Sequence, residues 1–374
     1  MKQLQLTETQ NKVVEEFDKL NPRRAVIQLP TAFGKTVIAI EILKKYNYNT
    51  VLVVTNTVQL KTQWIKELRN NEINFISNTE VVTIQSIYEK MYQNYDIIVI
   101  DEGHHVCSEK WLNLLKNNNF KSILILTAEL PREDDRHLLL KQFGIRTISH
   151  KSYETGIKEK LISDFQIFNI GVQLTNEERL NLEKINSFID RNFVTFNYNF
   201  LKVKTKSTTD YIASELLLAF QRRKEILNNA ENKLDKVEEI IKSSKWTKGI
   251  IYCEYIDFAD RLFNLLKDKI KCCIYHSKIK DKEKILQDFK ENKYDFIISV
   301  KCLDEGMNIP DLDFEIIVSS SSQKRQTIQR IGRGLRYKEN KIAIIYNLYV
   351  ENSKEEQWLN SRLKSFTNEK IFWK

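Results

Sequence analysis

Three short segments carry side chains that could do phosphoryl chemistry. The first is Leu29-Pro30-Thr31-Ala32-Phe33-Gly34-Lys35-Thr36, which follows an apolar run and opens a helical pattern. A strand, loop and helix in that order aim backbone N–H groups and the positive end of the helix dipole at an anion. Lys35 would reach the outer phosphates of a nucleoside triphosphate, and the Thr36 hydroxyl would hold Mg2+. Thr31, Ala32, Phe33 and Gly34 would form the cradle. The first glycine of the general loop pattern is Leu29 here. Ala32 stands where such loops often carry glycine, so a left-handed backbone there would be strained. The second segment is Ile97-Ile98-Val99-Ile100 running into Asp101-Glu102-Gly103-His104. Carboxylates at the carboxyl end of a buried strand face the crevice where parallel sheets bind ligands. Asp101 is the candidate metal ligand, and Glu102 the candidate for polarising an attacking water. The third segment, Gln329-Arg330-Ile331-Gly332-Arg333-Gly334-Leu335-Arg336, sets Arg333 and Arg336 three apart on one helix face. A planar guanidinium fork stabilises the charge of a transferring phosphoryl group better than an ammonium does. Gln329 would help to position the water. Two interleaved glycines make a plain basic surface helix a poor explanation of this string.

The elements that must hold these side chains follow from the hydrophobic pattern. Apolar runs at Ala25 to Leu29, Val51 to Val54, Ile97 to Ile100 and Ile123 to Leu126 alternate with helical stretches such as Thr36 to Tyr46 and Val58 to Leu68. Short continuous apolar runs between helices predict a buried parallel sheet. The pattern returns with runs at Gly249 to Cys253, Cys273 to Tyr275, Phe296 to Val300, Glu315 to Val318 and Ile342 to Tyr346. Roughly 165 to 245 differ: an alternating stretch, Phe165 to Val172, precedes long charged helical patterns. With no Gly/Pro/Ser-rich tether, that region reads as a packed helical insert.

The expectation is an α/β chain with two parallel-sheet domains and a mainly helical insert: 1–160, 161–245 and 246–374. At 374 residues, 42% apolar and 29% charged, the chain has room for two ordinary globular domains. No stretch nears the ~18 apolar residues of a membrane span. The polar start Met-Lys-Gln-Leu-Gln does not read as a signal peptide. The five cysteines form no Cys-x-x-Cys pair, which points to reduced thiols and a cytoplasmic setting rather than a metal finger. The formal net charge of +9 favours a polyanionic partner, although a lysine-rich solvated surface would give the same number.

Taken in order, the segments resemble the motifs of superfamily 2 helicases. The phosphate loop is similar to motif I, and Asp101-Glu102-Gly103-His104 to the DExH form of motif II. Gln10, in Leu-Thr-Glu-Thr-Gln, resembles the adenine-reading glutamine of the XPB-like and type III restriction group. Val53-Val54-Thr55-Asn56-Thr57 resembles motif Ia, Thr83-Ile84-Gln85-Ser86 motif Ib, and Leu126-Thr127-Ala128-Glu129 motif III. Ile251-Tyr252-Cys253 resembles motif IV, Asp304-Glu305-Gly306-Met307-Asn308-Ile309-Pro310 motif V, and the Gln329 to Arg336 segment motif VI. Only nine residues of the chain are glycine, and five of them (Gly34, Gly103, Gly306, Gly332 and Gly334) fall inside these motifs.

The resemblance implies two RecA-like lobes that hydrolyse ATP with Mg2+ in a shared cleft and hold a nucleic-acid strand by its backbone. It implies nucleotide contacts at Gly306 and Asn308 besides Gln10 and the loop. Strand contacts fall at Thr55, Asn56, Thr83 and Ser86, with weaker candidates at Ser277 and Cys302. His104, Thr127 and Ala128 would couple the two sites. Contacts to phosphate through hydroxyls and amides carry no sequence information, so little sequence preference is expected. The RNA-helicase signatures are missing: motif II does not read Asp-Glu-Ala-Asp, and no proline stands at Asn56. DNA is therefore favoured over RNA. Glu129 and Asn308 depart from the usual residues of motifs III and V, which bears on coupling more than on nucleotide binding. Trp64 is open to two readings, as core or as a base-stacking ring. Two functions fit: an autonomous DNA helicase or translocase, or the motor subunit of a restriction or anti-phage complex whose protein partner supplies recognition or cleavage. An adaptor that has lost hydrolysis fits less well, because the catalytic side chains are all present.

Overall fold

The computed structural model describes residues 6–374 except 47, 72–77, 107, 129, 131–135, 151–152, 244–247, 301–311, 320–331, 333, 365 and 367–369. By compactness the chain divides into two units. The first holds the residues up to Asp164 together with the described part of 328–341. The second holds the described residues of 165–303, 309–327 and 342–374.

In the first unit α1 (Glu8–Asp18) precedes a six-stranded sheet of β1 (Arg24–Gln28), β2 (Thr50–Thr55), β3 (Asn78–Thr83), β4 (Asn94–Ile100), β5 (Asn119–Thr127) and β6 (Arg146–Ser149). The strand order is β3-β2-β4-β5-β1-β6, and every pairing is parallel. The helices α2 (Lys35–Tyr46), α3 (Val58–Asn70), α4 (Glu109–Asn117) and α5 (Tyr153–Lys158) complete the unit. The four central strands read as continuous apolar runs because both faces are covered: Ile27, Leu52, Ile98 and Leu124 are all fully buried. β3 and β6 escape the apolar-run test for the opposite reason. They are edge strands, each with a single buried residue, Val82 and Ile148. α1 begins at a capping box, in which the Thr7 hydroxyl and the Gln10 side chain satisfy each other's backbone N–H groups. Val13, Val14 and Phe17 then give it a buried face.

All six strands of a parallel sheet end at one edge. The loop after β1, the Asp101 turn after β4, Thr127 at the end of β5 and the ends of β2 and β3 therefore gather along the same rim.

The second unit is a seven-stranded sheet in the order β13-β7-β12-β11-β8-β10-β9. Its strands are β7 (Asp164–Val172), β8 (Gly249–Cys253), β9 (Cys272–Tyr275), β10 (Phe296–Val300), β11 (Phe314–Ile317), β12 (Ile342–Val350) and β13 (Ile371–Trp373). The alternating stretch expected to open the insert is thus β7, a strand of this sheet. Its neighbours β12 and β13 lie far along the chain, so only the period of two was legible. The helical region, α6 (Asn176–Phe193), α7 (Phe200–Lys206), α8 (Tyr211–Asn228) and α9 (Asn232–Ser243), belongs by compactness to the second unit rather than forming a third. α6 opens on a Thr175–Glu178 capping box. α6, α7 and α8 share a small core of Ile189, Val203, Ala213 and Leu216. Among the described residues no helix is long and apolar enough to cross a membrane.

Candidate active site

The loop after β1 turns through two left-handed residues, Ala32 at φ 70° and Gly34 at φ 74°. Glycine adopts that conformation freely, whereas alanine pays for it, so the strain foreseen at Ala32 is present. Glycine at 34 also leaves room for Gln10, since a Cβ there would stand 2.5 Å from its Nε2 and push the amide aside. Lys35 opens α2 and folds back, donating to the Leu29 and Pro30 carbonyls at 3.1 and 3.2 Å. Its ammonium sits deep enough for burial to lower its pKa, against the pull of Glu102 and Asp101. An amine held this way has one N–H left for an anion. Thr36 stands next to it, in the first turn of α2 and half-buried. In the same loop the Thr31 hydroxyl is buried with no hydrogen-bond partner among the described residues.

Asp101 is buried at the end of β4. Its Oδ2 accepts the Trp64 indole N–H at 2.8 Å, and its Oδ1 accepts the Glu102 N–H at 2.9 Å. Trp64 is therefore core, fully buried, and also the side chain that fixes the Asp101 rotamer. Burial, with the neighbouring Glu102 carboxylate, pushes the Asp101 pKa up to about 6, and the Trp64 and Glu102 N–H groups and Lys35 pull it back. Glu102 takes a left-handed backbone, φ 53° and ψ 50°, which turns the chain sharply off the strand. Gly103 follows because β5 lies too close for a side chain: a Cβ would meet Ile125 Cγ2 at 2.0 Å. β5 in turn holds the loop, through the Leu29 N–H donated to the Thr127 carbonyl at 3.1 Å.

Gln10 reaches the same loop. Its Nε2 donates to the Phe33 carbonyl at 3.1 Å while its Oε1 accepts the Thr7 N–H at 3.0 Å. A second N–H and a second lone pair remain on that amide for a ligand. The arginine-rich segment also arrives here. Gly332 packs onto Thr31 so closely that a Cβ would stand 2.3 Å from the Thr31 Cβ. Arg336 is half-buried and pairs by its backbone with Ile162. Gln329, Arg333, Gly306, Asn308 and Cys302 lie outside the described residues.

The candidate strand contacts divide. Thr55 is fully buried, and its hydroxyl donates to the Thr57 and Val82 carbonyls, so it serves the turn after β2 rather than an open surface. Its register partner Thr83 lies 3.3 Å, hydroxyl to hydroxyl, from the exposed Ser86. Gln85 donates to the Asn56 carbonyl at 3.4 Å, which brings motifs Ia and Ib into one polar cluster. Ser277 is exposed in the turn after β9, in the other unit. Of the coupling candidates, Thr127 is fully buried and Ala128 half-buried, and the side chain of His104 lies outside the described part. The link that sequence reasoning missed is the next residue: Nε2 of His105 lies 3.2 Å from the Asn56 amide nitrogen, joining motif II to motif Ia.

Comparison with known proteins identifies what the chain is similar to. Residues 3–132 match the family model of the type III restriction enzyme res subunit, and residues 232–338 that of the helicase conserved C-terminal domain. The chain is 29% identical over 346 residues to the DNA 3'-5' translocase XPB2 of Sulfurisphaera tokodaii, covering 87% of this chain and 78% of that protein. It is 23% identical over 367 residues to the putative helicase 22 of a Sulfolobus islandicus filamentous virus, with 88% and 62% covered. It is 22% identical over 357 residues to a putative mitochondrial ATP-dependent helicase, irc3, of Schizosaccharomyces pombe, spanning 87% of this chain but 53% of that one. Among solved structures, the Hef helicase domain of Pyrococcus furiosus superposes with a TM-score of 0.58 at 15% identity, over 94% of this chain and 97% of that one. Dbp5 of Saccharomyces cerevisiae, bound to RNA and ADP BeF3, does so with a TM-score of 0.63 at 14% identity, over 98% and 89%. At those identities the two likenesses speak for the fold. Two RecA-like parallel sheets, a phosphate loop set against an Asp-Glu pair and two matching family models together place the chain in superfamily 2, among the helicases of the XPB-like and type III restriction res-subunit kind.

Proposed function

We propose that the chain is an ATP-driven DNA translocase or helicase. The observation that carries the reading is the deep Lys35 ammonium, lodged in a partly left-handed loop beside a buried and a half-buried carboxylate. That arrangement holds cation and anions ready for a phosphate chain, and nothing in the packing of the sheet calls for it. Lys35 binds the outer phosphates, and the loop N–H groups of 31–36 cradle the rest. Glu102 takes a proton from the attacking water, assisted by Gln329. Arg333 and Arg336 stabilise the charge that develops on the transferring group. Gln10 holds the base.

Asp101 and Thr36 suit Mg2+ as donors, one carboxylate and one hydroxyl. Among the described residues no three His, Cys, Asp or Glu side chains gather into a self-sufficient metal cage. A magnesium site that takes its other oxygens from phosphate and water needs none. When bound, the ion neutralises phosphate charge.

DNA as the strand rests on the XPB-like relative and on the departures from RNA-helicase motifs. Asn56, Thr83, Gln85 and Ser86 are the first-unit contacts, through backbone phosphates and without base readout. The match to a restriction res subunit favours a second reading, in which a protein partner directs the motor.

The test is the steady-state ATPase rate of the purified chain alone and with single-stranded, duplex and branched DNA and RNA, with Lys35→Ala as control. Stimulation by one of the DNAs, abolished in the variant, is expected. A low rate indifferent to every nucleic acid favours the partner-directed motor, and undiminished turnover in Lys35→Ala removes the site assignment.

A further inference from the structure

Gln10 can read a base only if its helix is held at one angle over the loop, and the structure shows what holds it. α5 ends in a tight C-terminal turn: the Leu161 N–H donates to the Gly156 carbonyl at 2.9 Å and the Lys160 N–H to the Ile157 carbonyl at 3.0 Å. Lys160 is left-handed at φ 57°. This is the Schellman pattern, and Glu159 occupies its cap position. From there the Glu159 carboxylate reaches the first turn of α1. The Thr9 N–H donates to both its oxygens, at 3.0 and 3.2 Å, and the Thr9 hydroxyl donates at 2.8 Å. Partial burial works against the charge, but the Thr9 N–H, the Thr7 and Thr9 hydroxyls and nearby Lys12 hold the carboxyl below its ordinary range. A carboxylate at a helix N-terminus is also favoured by the helix dipole.

Thr9 and Gln10 are adjacent, so this clamp sits one residue from the amide that touches the loop. α5 is itself fixed to the loop. Gly156 lies against the Phe33 ring, where a Cβ would stand 2.3 Å from Cζ, and Tyr153 packs edge-on to that ring at 6.4 Å. Phe33 is the residue whose carbonyl Gln10 holds. Loop, α5, Glu159, α1 and Gln10 thus close a ring of contacts around one face of the nucleotide cradle. The Thr7–Gln10 box and the buried Val13, Val14 and Phe17 keep α1 helical without Glu159. What Glu159 adds is orientation.

We propose that Glu159 is a positioning residue for base selection, holding α1 so that Gln10 meets adenine rather than guanine. The inference rests on the reading of Gln10 as the base contact. ADP and GDP binding, measured by calorimetry on the full chain so that no turnover intervenes, tests both. Gln10→Ala is expected to abolish the ADP preference. Glu159→Ala is expected to weaken ADP by about five- to tenfold, the worth of one misplaced hydrogen bond, and to leave GDP binding and kcat for ATP unchanged. Glu159→Gln, which keeps an acceptor for the Thr9 N–H and carries the test should the alanine variant unfold, should lose less. In a Gln10→Ala background, Glu159→Ala should add nothing. If Gln10→Ala removes the preference while both Glu159 variants keep it, Glu159 is a helix cap only and the inference is overturned. An unchanged preference in Gln10→Ala overturns the base reading itself, and with it any positioning role.

Discussion

Each unit buries a lysine ammonium, and the two are treated differently. Lys233, in the second unit, is fully buried and meets both oxygens of Glu355 at 2.9 Å. Glu355 is buried too and accepts the Val350 N–H, so the pair is sealed and satisfied. Among the described residues Lys35, in the first unit, donates only to two carbonyls of its own loop, with the Asp101 and Glu102 carboxylates near but not in contact. Around it the backbone is left-handed at Ala32, Gly34 and Glu102, and among the described residues the Thr31 hydroxyl has no partner. Burial lowers both lysine pKa values, yet the first arrangement closes a fold and the second waits for an anion. Left-handed strain at Ala32 and Glu102, beside a lysine that no carboxylate seals, marks this sheet edge as a place for chemistry, because packing alone would remove it.

Breaking each lysine separately should therefore break different things. Lys233→Met leaves the Glu355 carboxylate buried without its counter-charge, and should cost about 3–5 kcal/mol of stability in urea denaturation. Replacing both partners, Lys233→Met with Glu355→Leu, should restore most of it. A single variant as stable as the parent would mean that the pair is not sealed in solution.

Lys35→Ala should do the reverse. Removing a buried amine that lacks a carboxylate partner relieves its desolvation while losing two hydrogen bonds to carbonyls, so the unfolding free energy should change by no more than about 1 kcal/mol. Turnover should fall on the order of 10²–10³-fold with the loss of the cation from the developing charge. Glu102→Gln should resemble it in turnover but not in binding: nucleotide affinity should survive while hydrolysis drops on the order of a hundredfold. Equal loss of affinity in both variants would blur the contrast and take the water-polarising role from Glu102.

Much of this was legible beforehand. Both sheets announced themselves because central parallel strands must be apolar throughout, as at Ile97 to Ile100, and because Gly-Lys-Thr after a strand has few other uses. Edge strands did not, since β3 and β6 bury so little. Nor did contacts between distant segments. Glu159 on Thr9 spans 150 positions, and nothing in either local string predicts it. Trp64 shows the limit well: its spacing on α3 left core and base stacking both open, and the indole N–H donated to Asp101 depends on a strand 37 positions away.

That bond gives the next test. Trp64→Phe keeps most of the ring and deletes the donor, leaving a buried carboxylate one hydrogen bond short. The cost should be about 1.5–3 kcal/mol, the worth of a hydrogen bond to a charged group. Turnover should fall too, because Asp101 loses its fixed rotamer. A variant that is destabilised yet fully active would make Trp64 core alone and free Asp101 from any dependence on it.

The smallest effect should come from strain that does no chemistry. Lys160 is left-handed like Ala32, but it only ends α5. A non-glycine residue pays about 1–2 kcal/mol in that conformation, and glycine there gives back part of the gain through its freer unfolded chain. Lys160→Gly should therefore raise stability by about 0.5–1 kcal/mol and leave ATP turnover and the ADP preference untouched, since the turn that aims Glu159 is preserved. Loss of stability would show that the lysine side chain holds the turn by more than its backbone. A changed nucleotide preference would show that this strain, like that of the phosphate loop, is kept for function.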